Sequence, residues 1–309
     1  MTTDDDKYLS QVLDSQAFKE EDPELKDLRE HRAAIEGILM DAFKGDKPTI
    51  KYGGSKAKGT MLKEAYDLDI LFYLPNEEAP SLTLQGIYDG AKNALSKTYV
   101  VEEKTCAIRL RDKGSQADFH IDVVPGRFTN EAKDDVFLHQ TSGSKERLKT
   151  NPDVHIRHVK DSGVIDGVKL IKLWRIRNGL EVRSFVLELA AVDVLKKQKD
   201  KGLGEQLRAF FGVLATEIES IKVEDPANHT GNDLSPLLSD EVRGELQRAA
   251  KKTLEIFKKS GWRGVFGNTQ VADEATKQVV LPRAVSSAPA PAKPWACQRG
   301  TGPWPKPRA

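Results

Sequence analysis

The spacing of apolar residues changes period once along this chain, and that change limits the fold more than any single motif. Up to about residue 130, short runs alternate apolar with polar: "IKY" before Gly53, "YDLDILFYL" (66–74), "TYVVEEK" (98–104), "CAIRLRD" (106–112) and "ADFHIDVVP" (117–125). A period of two, rich in β-branched and aromatic residues, predicts strands. Two helices are predicted among them. One runs from Leu25 to Phe43, with Leu25, Leu28, Arg32, Ile35, Leu39 and Phe43 at helical spacing; the other is "LTLQGIYDGAKNALSK" (82–97). From about Ser162 four helical segments follow with little strand signal: 162–178, 184–199, 204–221 and 239–260. The expected class is α+β, a mixed sheet with flanking helices followed by a helical lobe, with a cleft between them. The expected boundaries are a segment 1–24, a sheet lobe 25–160 carrying a long helix 25–43, a helical lobe 161–268 and a tail 269–309. The tail holds seven of the fifteen prolines and reads as extended.

Composition limits the partners. With 48 Lys and Arg against 47 Asp and Glu in 309 residues, the net charge of +1 gives no global field for wrapping a long nucleic acid. Cys106 and Cys297 match no zinc or redox spacing and are expected to be incidental thiols. The acidic start, "MTTDDDKYLSQ", lacks the basic-then-apolar order of a signal peptide. No run approaches the roughly 18 apolar residues of a membrane span. A soluble, cytoplasmic, monomeric protein is expected.

The candidate site begins with two acids in an apolar strand. Side chains alternate along a strand, so Asp67 and Asp69 share a face while Leu68, Ile70, Phe72 and Leu74 take the other. Two adjacent carboxylates repel unless a positive charge lies between them, and a hard divalent cation with phosphate oxygens is the simplest complement. A third acid, Asp122, lies in another alternating strand, sharing its face with His120 and Val124 while Phe119, Ile121 and Val123 face the core. If the two strands are neighbours, the three acids can hold two Mg²⁺ ions, with Mn²⁺ as a substitute, for an in-line phosphoryl displacement. Upstream, Gly53 and Gly54 allow a tight turn, and a helix starting near Ser55 would offer its amides and hydroxyl to phosphate. A P-loop is excluded, because Thr60-Met61 follows Gly59 where Lys-Ser/Thr is required. On the first of the four helical segments, Lys169, Lys172 and Arg175 form a basic stripe, with Leu170, Ile171 and Trp174 on the buried side.

The order Gly-Ser, Asp-x-Asp on a strand, then a later strand Asp resembles the nucleotidyltransferase superfamily of DNA polymerase beta, the CCA-adding enzymes and the oligoadenylate synthetases. "VKLIKLWRIRNGLEVRSFVLELAAVDVL" (168–195) is similar to the oligoadenylate synthetase and cyclic GMP-AMP synthase branch. "DPANHTGNDLS" (225–235) and "GWRGVFGN" (261–268) resemble elements of its bacterial members, the CD-NTases of antiphage (CBASS) systems. The resemblance implies a polymerase-beta-like catalytic lobe and Mg²⁺-dependent synthesis of a cyclic di- or trinucleotide from NTPs such as ATP, GTP or a pyrimidine NTP. It implies Asp67, Asp69 and Asp122 as catalytic metal ligands, with Asp122 on the side of the attacking hydroxyl. It implies Gly54, Ser55, Lys172 and Ser184 as nucleotide contacts, with Asn232 as a candidate for base or ribose. It also implies a possible protein activator, or a partner conjugated to the C-terminus. The alternatives are a CCA-adding-like or linear oligoadenylate enzyme, and a catalytically silent nucleotide-binding scaffold.

Overall fold

The computed structural model describes residues 3–76, 81–113, 120–142, 146–227 and 233–267. Its seven strands form one sheet: β1 (Thr49–Tyr52), β2 (Leu68–Leu74), β3 (Tyr99–Glu103), β4 (Ile108–Asp112), β5 (Ile121–Phe128), β6 (Val136–His139) and β7 (Arg147–Thr150). The main path runs β1-β2-β5-β4-β3, and β6 joins β5 and carries β7. β2 and β5 pair in parallel, while β1–β2 and β4–β5 are antiparallel. A parallel pair needs a long crossover; here helix α4 (Leu84–Ser96) and strands β3 and β4 fill it.

The alternation read in the sequence sorts the two faces. Leu68, Ile70, Phe72 and Leu74 of β2 and Ile121 and Val123 of β5 pack with α4 and with α2 (Pro23–Ala42). α2 starts at Pro23, tolerated in a first turn, and buries Leu25, Leu28, Ile35 and Leu39 along one side. On the opposite face Leu71, Tyr73 and Val124 meet Phe128, Val136 and Leu138 in a small second cluster. Asp69 occupies that second face at the start of β2, before the cluster begins. The short strands β6 and β7 are a feature that the sequence pattern did not mark. Cys106 is fully buried beside them, and Cys297 lies outside the described residues.

The helical lobe gathers α6 (Ile165–Arg177), α7 (Ser184–Leu195), α8 (Leu203–Thr216) and α9 (Asp240–Phe266) around Trp174, Phe210, Phe211 and Trp262. The four helices match the four predicted segments. The short α5 (Pro152–Lys160), capped by the Asn151 side chain on the Val154 amide, leads the chain into this lobe. The first helix, α1 (Asp4–Gln16), also packs here, because Tyr8, Leu9 and Val12 sit in the same core. Each such large apolar side chain contributes about 1.5–3 kcal/mol on burial. No helix among the described residues is long and apolar enough to cross a membrane.

Candidate active site

The parallel pairing of β2 and β5 sets the site. Asp69 and Asp122 are direct register partners, and Asp122 is also opposite Arg109 on β4. The expectation that the two acidic strands are neighbours is met. Arg109 lies 2.8 Å from each Asp122 oxygen, through Nε and Nη2, and both side chains are buried. Sequence reasoning missed Arg109. Its signal was an arginine alternating with Ile108 and Leu110 in an otherwise apolar strand.

Asp67 precedes β2 and is half exposed, with Oδ1 3.1 Å from His120 Nε2. Asp69 differs from both neighbours, since no ion pair reaches it among the described residues. Burial pushes its carboxyl up to about 7, helped by the charges of Asp122 and Asp67; Lys58 and His120 oppose the rise. Three carboxylates against one guanidinium leave the cluster electrostatically unfinished. Among the described residues no group of three or more acidic or histidine side chains is close enough to hold a metal ion as it stands, but carboxylate oxygens with surplus negative charge are the donors that hard divalent cations take, and the partly buried Asp69 carboxylate is the group that most needs such a cation.

The glycine turn is built against the same carboxylate. Gly53 donates its N–H to the Asp69 carbonyl at 2.8 Å. Gly54 has φ +49°, and a Cβ there would lie 1.6 Å from Asp69 Oδ2. A Cβ at Gly53 would lie 2.8 Å from a Leu71 methyl. Close approach argues for glycine at both positions, and the left-handed backbone adds to the requirement at Gly54 alone. A short helix, α3 (Gly54–Lys58), starts at the turn, so Ser55 sits in its first turn as expected. Gly59, at φ +74°, ends it, and the Thr60 amide returns to the Ser55 carbonyl at 2.9 Å.

Lys172 belongs to the stripe read in the sequence. The middle of α6 is largely buried, and the three basic residues of the stripe go to three different places. Lys169 reaches Asp166 at 3.3 Å, and Arg175 Nε donates to the Val182 carbonyl at 2.8 Å. Lys172 turns inward, donating to the Thr60 carbonyl and hydroxyl, each at 3.0 Å, and lying 2.9 Å from Glu188 Oε1. Arg175 also lies within electrostatic reach of Glu188 and Asp67, so Lys172 and Arg175 keep the side read in the sequence while Lys169 stays with Asp166. Glu188, in the middle of α7, also accepts from Lys58 at 2.6 Å and from the Thr60 hydroxyl at 2.9 Å. Burial alone would raise its carboxyl, but Lys172 and Lys58 outweigh burial and hold it near about 2. Glu188 and Lys58 were missed in the sequence, where Glu188 is one acid in an apolar run.

Ser184 is the first residue of α7, partly exposed at the edge of this hub. The adjoining Phe185 ring is buried, 5.1 Å from the Lys58 ammonium and 5.0 Å from the ring of His155. The structure thus brings together Gly54, Asp67, Asp69 and Asp122, with Ser55 in the turn above them. It joins that turn to Lys172 through Thr60. Asn232 and the 269–309 tail lie outside the described residues.

No protein-family model matches the chain. Among curated proteins, the chain is 29% identical over 224 residues to a cyclic AMP-AMP-AMP synthase of Escherichia coli strain MS 115-1, covering 64% of this chain and 67% of that one. It is 26% identical over 300 residues to the CBASS oligonucleotide cyclase CdnC of Escherichia coli strain KTE188, covering 81% and 94%. Among solved structures, CdnC of Escherichia coli MS115-1 in complex with HORMA-deltaN aligns with TM-score 0.65 at 20% identity, covering 86% of this chain and 98% of that one. The Bradyrhizobium diazoefficiens CD-NTase CdnG, in complex with GTP, aligns with TM-score 0.66 at 15% identity, covering 86% and 96%. Those alignments take in both lobes and carry the two-lobed α+β fold. The chain is thus similar in sequence to bacterial oligonucleotide cyclases and shares the fold of a bacterial CD-NTase.

Proposed function

We propose that this protein is a divalent-metal-dependent nucleotidyltransferase that joins NTPs into a cyclic oligonucleotide and releases pyrophosphate. The observation that carries the reading is the register pair Asp69–Asp122, beneath a glycine turn that leaves no room for a Cβ. It combines a place for hard cations with a place for phosphate. The named activities of the relatives support the cyclic product, and the cyclic AMP-AMP-AMP synthase favours a trinucleotide.

Asp67, Asp69 and Asp122 would hold Mg²⁺ or Mn²⁺. Such ions neutralise phosphate oxygens and lower the pKa of an attacking hydroxyl. Arg109 orients Asp122 by gripping both its oxygens, and His120 steadies Asp67 from the flank. Ser55 and the amides of the α3 turn would seat the donor phosphates, with Lys172 and Ser184 reaching the triphosphate from the helical lobe. The acceptor nucleotide would present its 2′- or 3′-hydroxyl on the Asp122 side, in line with the departing pyrophosphate. Asn232 is kept as a base or ribose contact. A solved relative is in complex with a HORMA protein, and a protein activator of that kind is part of the proposal. So are a role for the C-terminal tail in partner attachment, a monomeric state and a cytoplasmic location.

The test is incubation with all four NTPs and Mg²⁺, with and without a candidate activator, then phosphatase treatment and mass spectrometry. A phosphatase-resistant cyclic product is expected from the wild type and not from Asp69→Asn. Because that substitution removes a repelling charge, the variant should be at least as thermally stable as the wild type. A cyclic product made equally well by Asp69→Asn would sink the assignment.

A further inference from the structure

A buried carboxylate needs one cationic partner to be neutral, and Glu188 has two. Lys58 arrives from α3 in the sheet lobe and Lys172 from α6 in the helical lobe. The side chains of Lys58, Lys172 and Glu188 are 5%, 10% and 3% exposed, so water does little to compensate any of them. A lysine that is the sole partner of such a carboxylate is not free to leave, because an uncompensated buried charge is strongly unfavourable. A second lysine removes that restriction.

The two lysines are not equivalent. Lys58 holds Glu188 at 2.6 Å and faces the ring of Phe185, and it makes no hydrogen bond to a neutral oxygen. Lys172 holds the other carboxylate oxygen at 2.9 Å, and its remaining two acceptors are the neutral carbonyl and hydroxyl of Thr60. If Lys172 turns away, Glu188 keeps the Lys58 ammonium and the Thr60 hydroxyl. Lys172 gives up two hydrogen bonds at Thr60, which phosphate oxygens replace with charge-assisted ones.

We propose that Lys58 is the standing counter-ion of Glu188, and that it thereby frees Lys172 to turn onto the triphosphate. The inference rests on the reading above in which Lys172 binds triphosphate, and it adds Lys58 as a positioning residue that acts without touching substrate. It also gives a reason for two buried cations on one acid: the surplus charge is held in reserve for an incoming anion.

The experiment measures binding by calorimetry, using the full chain with Mg²⁺–ATP and with Mg²⁺–tripolyphosphate, which reads the phosphate seat without a base. The variants are Lys172→Met, Lys58→Met, Lys58→Arg, Glu188→Gln and the pair Lys58→Met/Glu188→Gln. Lys172→Met should weaken binding. Lys58→Met should weaken it by about tenfold or more, the scale of one lost charge-assisted contact, because Lys172 becomes the only counter-ion of Glu188. Lys58→Arg should bind as the wild type. Glu188→Gln should abolish the effect of Lys58→Met, so that the pair binds within about threefold of Glu188→Gln alone. Urea unfolding of the same variants is read alongside, because a merely structural Lys58 would lose stability on Lys58→Met while the folded variant keeps wild-type affinity. Wild-type affinity in Lys58→Met, or a pair no better than Lys58→Met, overturns the proposal while leaving Lys172 in place. Wild-type affinity in Lys172→Met overturns the reading beneath it. Should Lys58→Met fail to fold, Lys58→Gln takes its place in the cycle.

Discussion

Gly54→Ala separates the chemistry of the turn from its backbone. Two effects follow from the geometry. The first is conformational: at φ +49° an L-residue is strained by about 1–2 kcal/mol. The second is steric. The new methyl would lie 1.6 Å from Asp69 Oδ2, whereas real contacts essentially never fall below 3.0 Å, so the carboxylate must retreat by about 1.4 Å. A misplacement of about 1 Å in a catalytic group can reduce rate about a hundredfold. Gly179→Ala supplies the control, since its φ is +62° but nothing lies within 4 Å of the added carbon. Both variants should lose about 1–2 kcal/mol in urea unfolding, by the backbone strain alone. Only Gly54→Ala should lose activity, by about a hundredfold or more in kcat/KM for NTP consumption. If Gly54→Ala works within about threefold of Gly179→Ala, the carboxylate is not held where catalysis needs it, and the argument from the turn fails.

Arg109→Met should destabilise the fold by about 3–5 kcal/mol, because it strands the buried Asp122 carboxylate; a shift below about 1 kcal/mol in urea unfolding would contradict the pairing. Acid should unfold the protein in two legs. His155 is buried and near Lys58, and its pKa is lowered from 6.5 to about 3. The unfolded chain takes up that proton first, so stability is present above about pH 6.5 and falls as pH drops toward 3. Glu188, lowered from 4.5 to about 2, adds a second loss that begins below about pH 4.5. His155→Gln should flatten the leg between pH 6.5 and 4.5 in a series of urea midpoints, and an unchanged slope there would refute the assignment. Phe211→Ala, at the centre of Trp174, Phe210 and Trp262, should cost about 3–5 kcal/mol by cavity formation, read by the same unfolding assay with nucleotide absent.

The parts of the fold that were legible in the sequence are those carried by period. Alternation in "YDLDILFYL" assigned Leu68, Ile70, Phe72 and Leu74 to one face and the acids to the other, and the structure has that division. The 3.6 period from Ser162 gave α6 to α9. What period cannot give is which strand lies beside which. The Asp69–Asp122 register depends on a crossover through α4, β3 and β4. Partners of buried charges were equally hidden. Arg109 reads as an ordinary strand cation until Asp122 is opposite it, and Glu188 reads as surface until α7 is seen to be covered from Phe185 to Val192. The basic stripe on α6 was legible as a face, but helical spacing does not say that Thr60 and Glu188 would pack on Lys172. The acids of α1 disguised Tyr8, Leu9 and Val12, a short apolar set at one side of a polar segment.

That first helix has a consequence for how the protein is made. α1 packs against α8 and α9, and the Tyr8 hydroxyl bonds the Gly267 carbonyl. The residues of α1 therefore find their partners only after residue 267 has been made. The sheet lobe, whose strands all lie between Thr49 and Thr150, can assemble well before that. The nascent chain must carry an exposed amphipathic helix while everything between α1 and α9 is made, and the lobe holding Lys172 and Ser184 closes after the sheet lobe. Nucleotide binding would then begin only after residue 267 has been made.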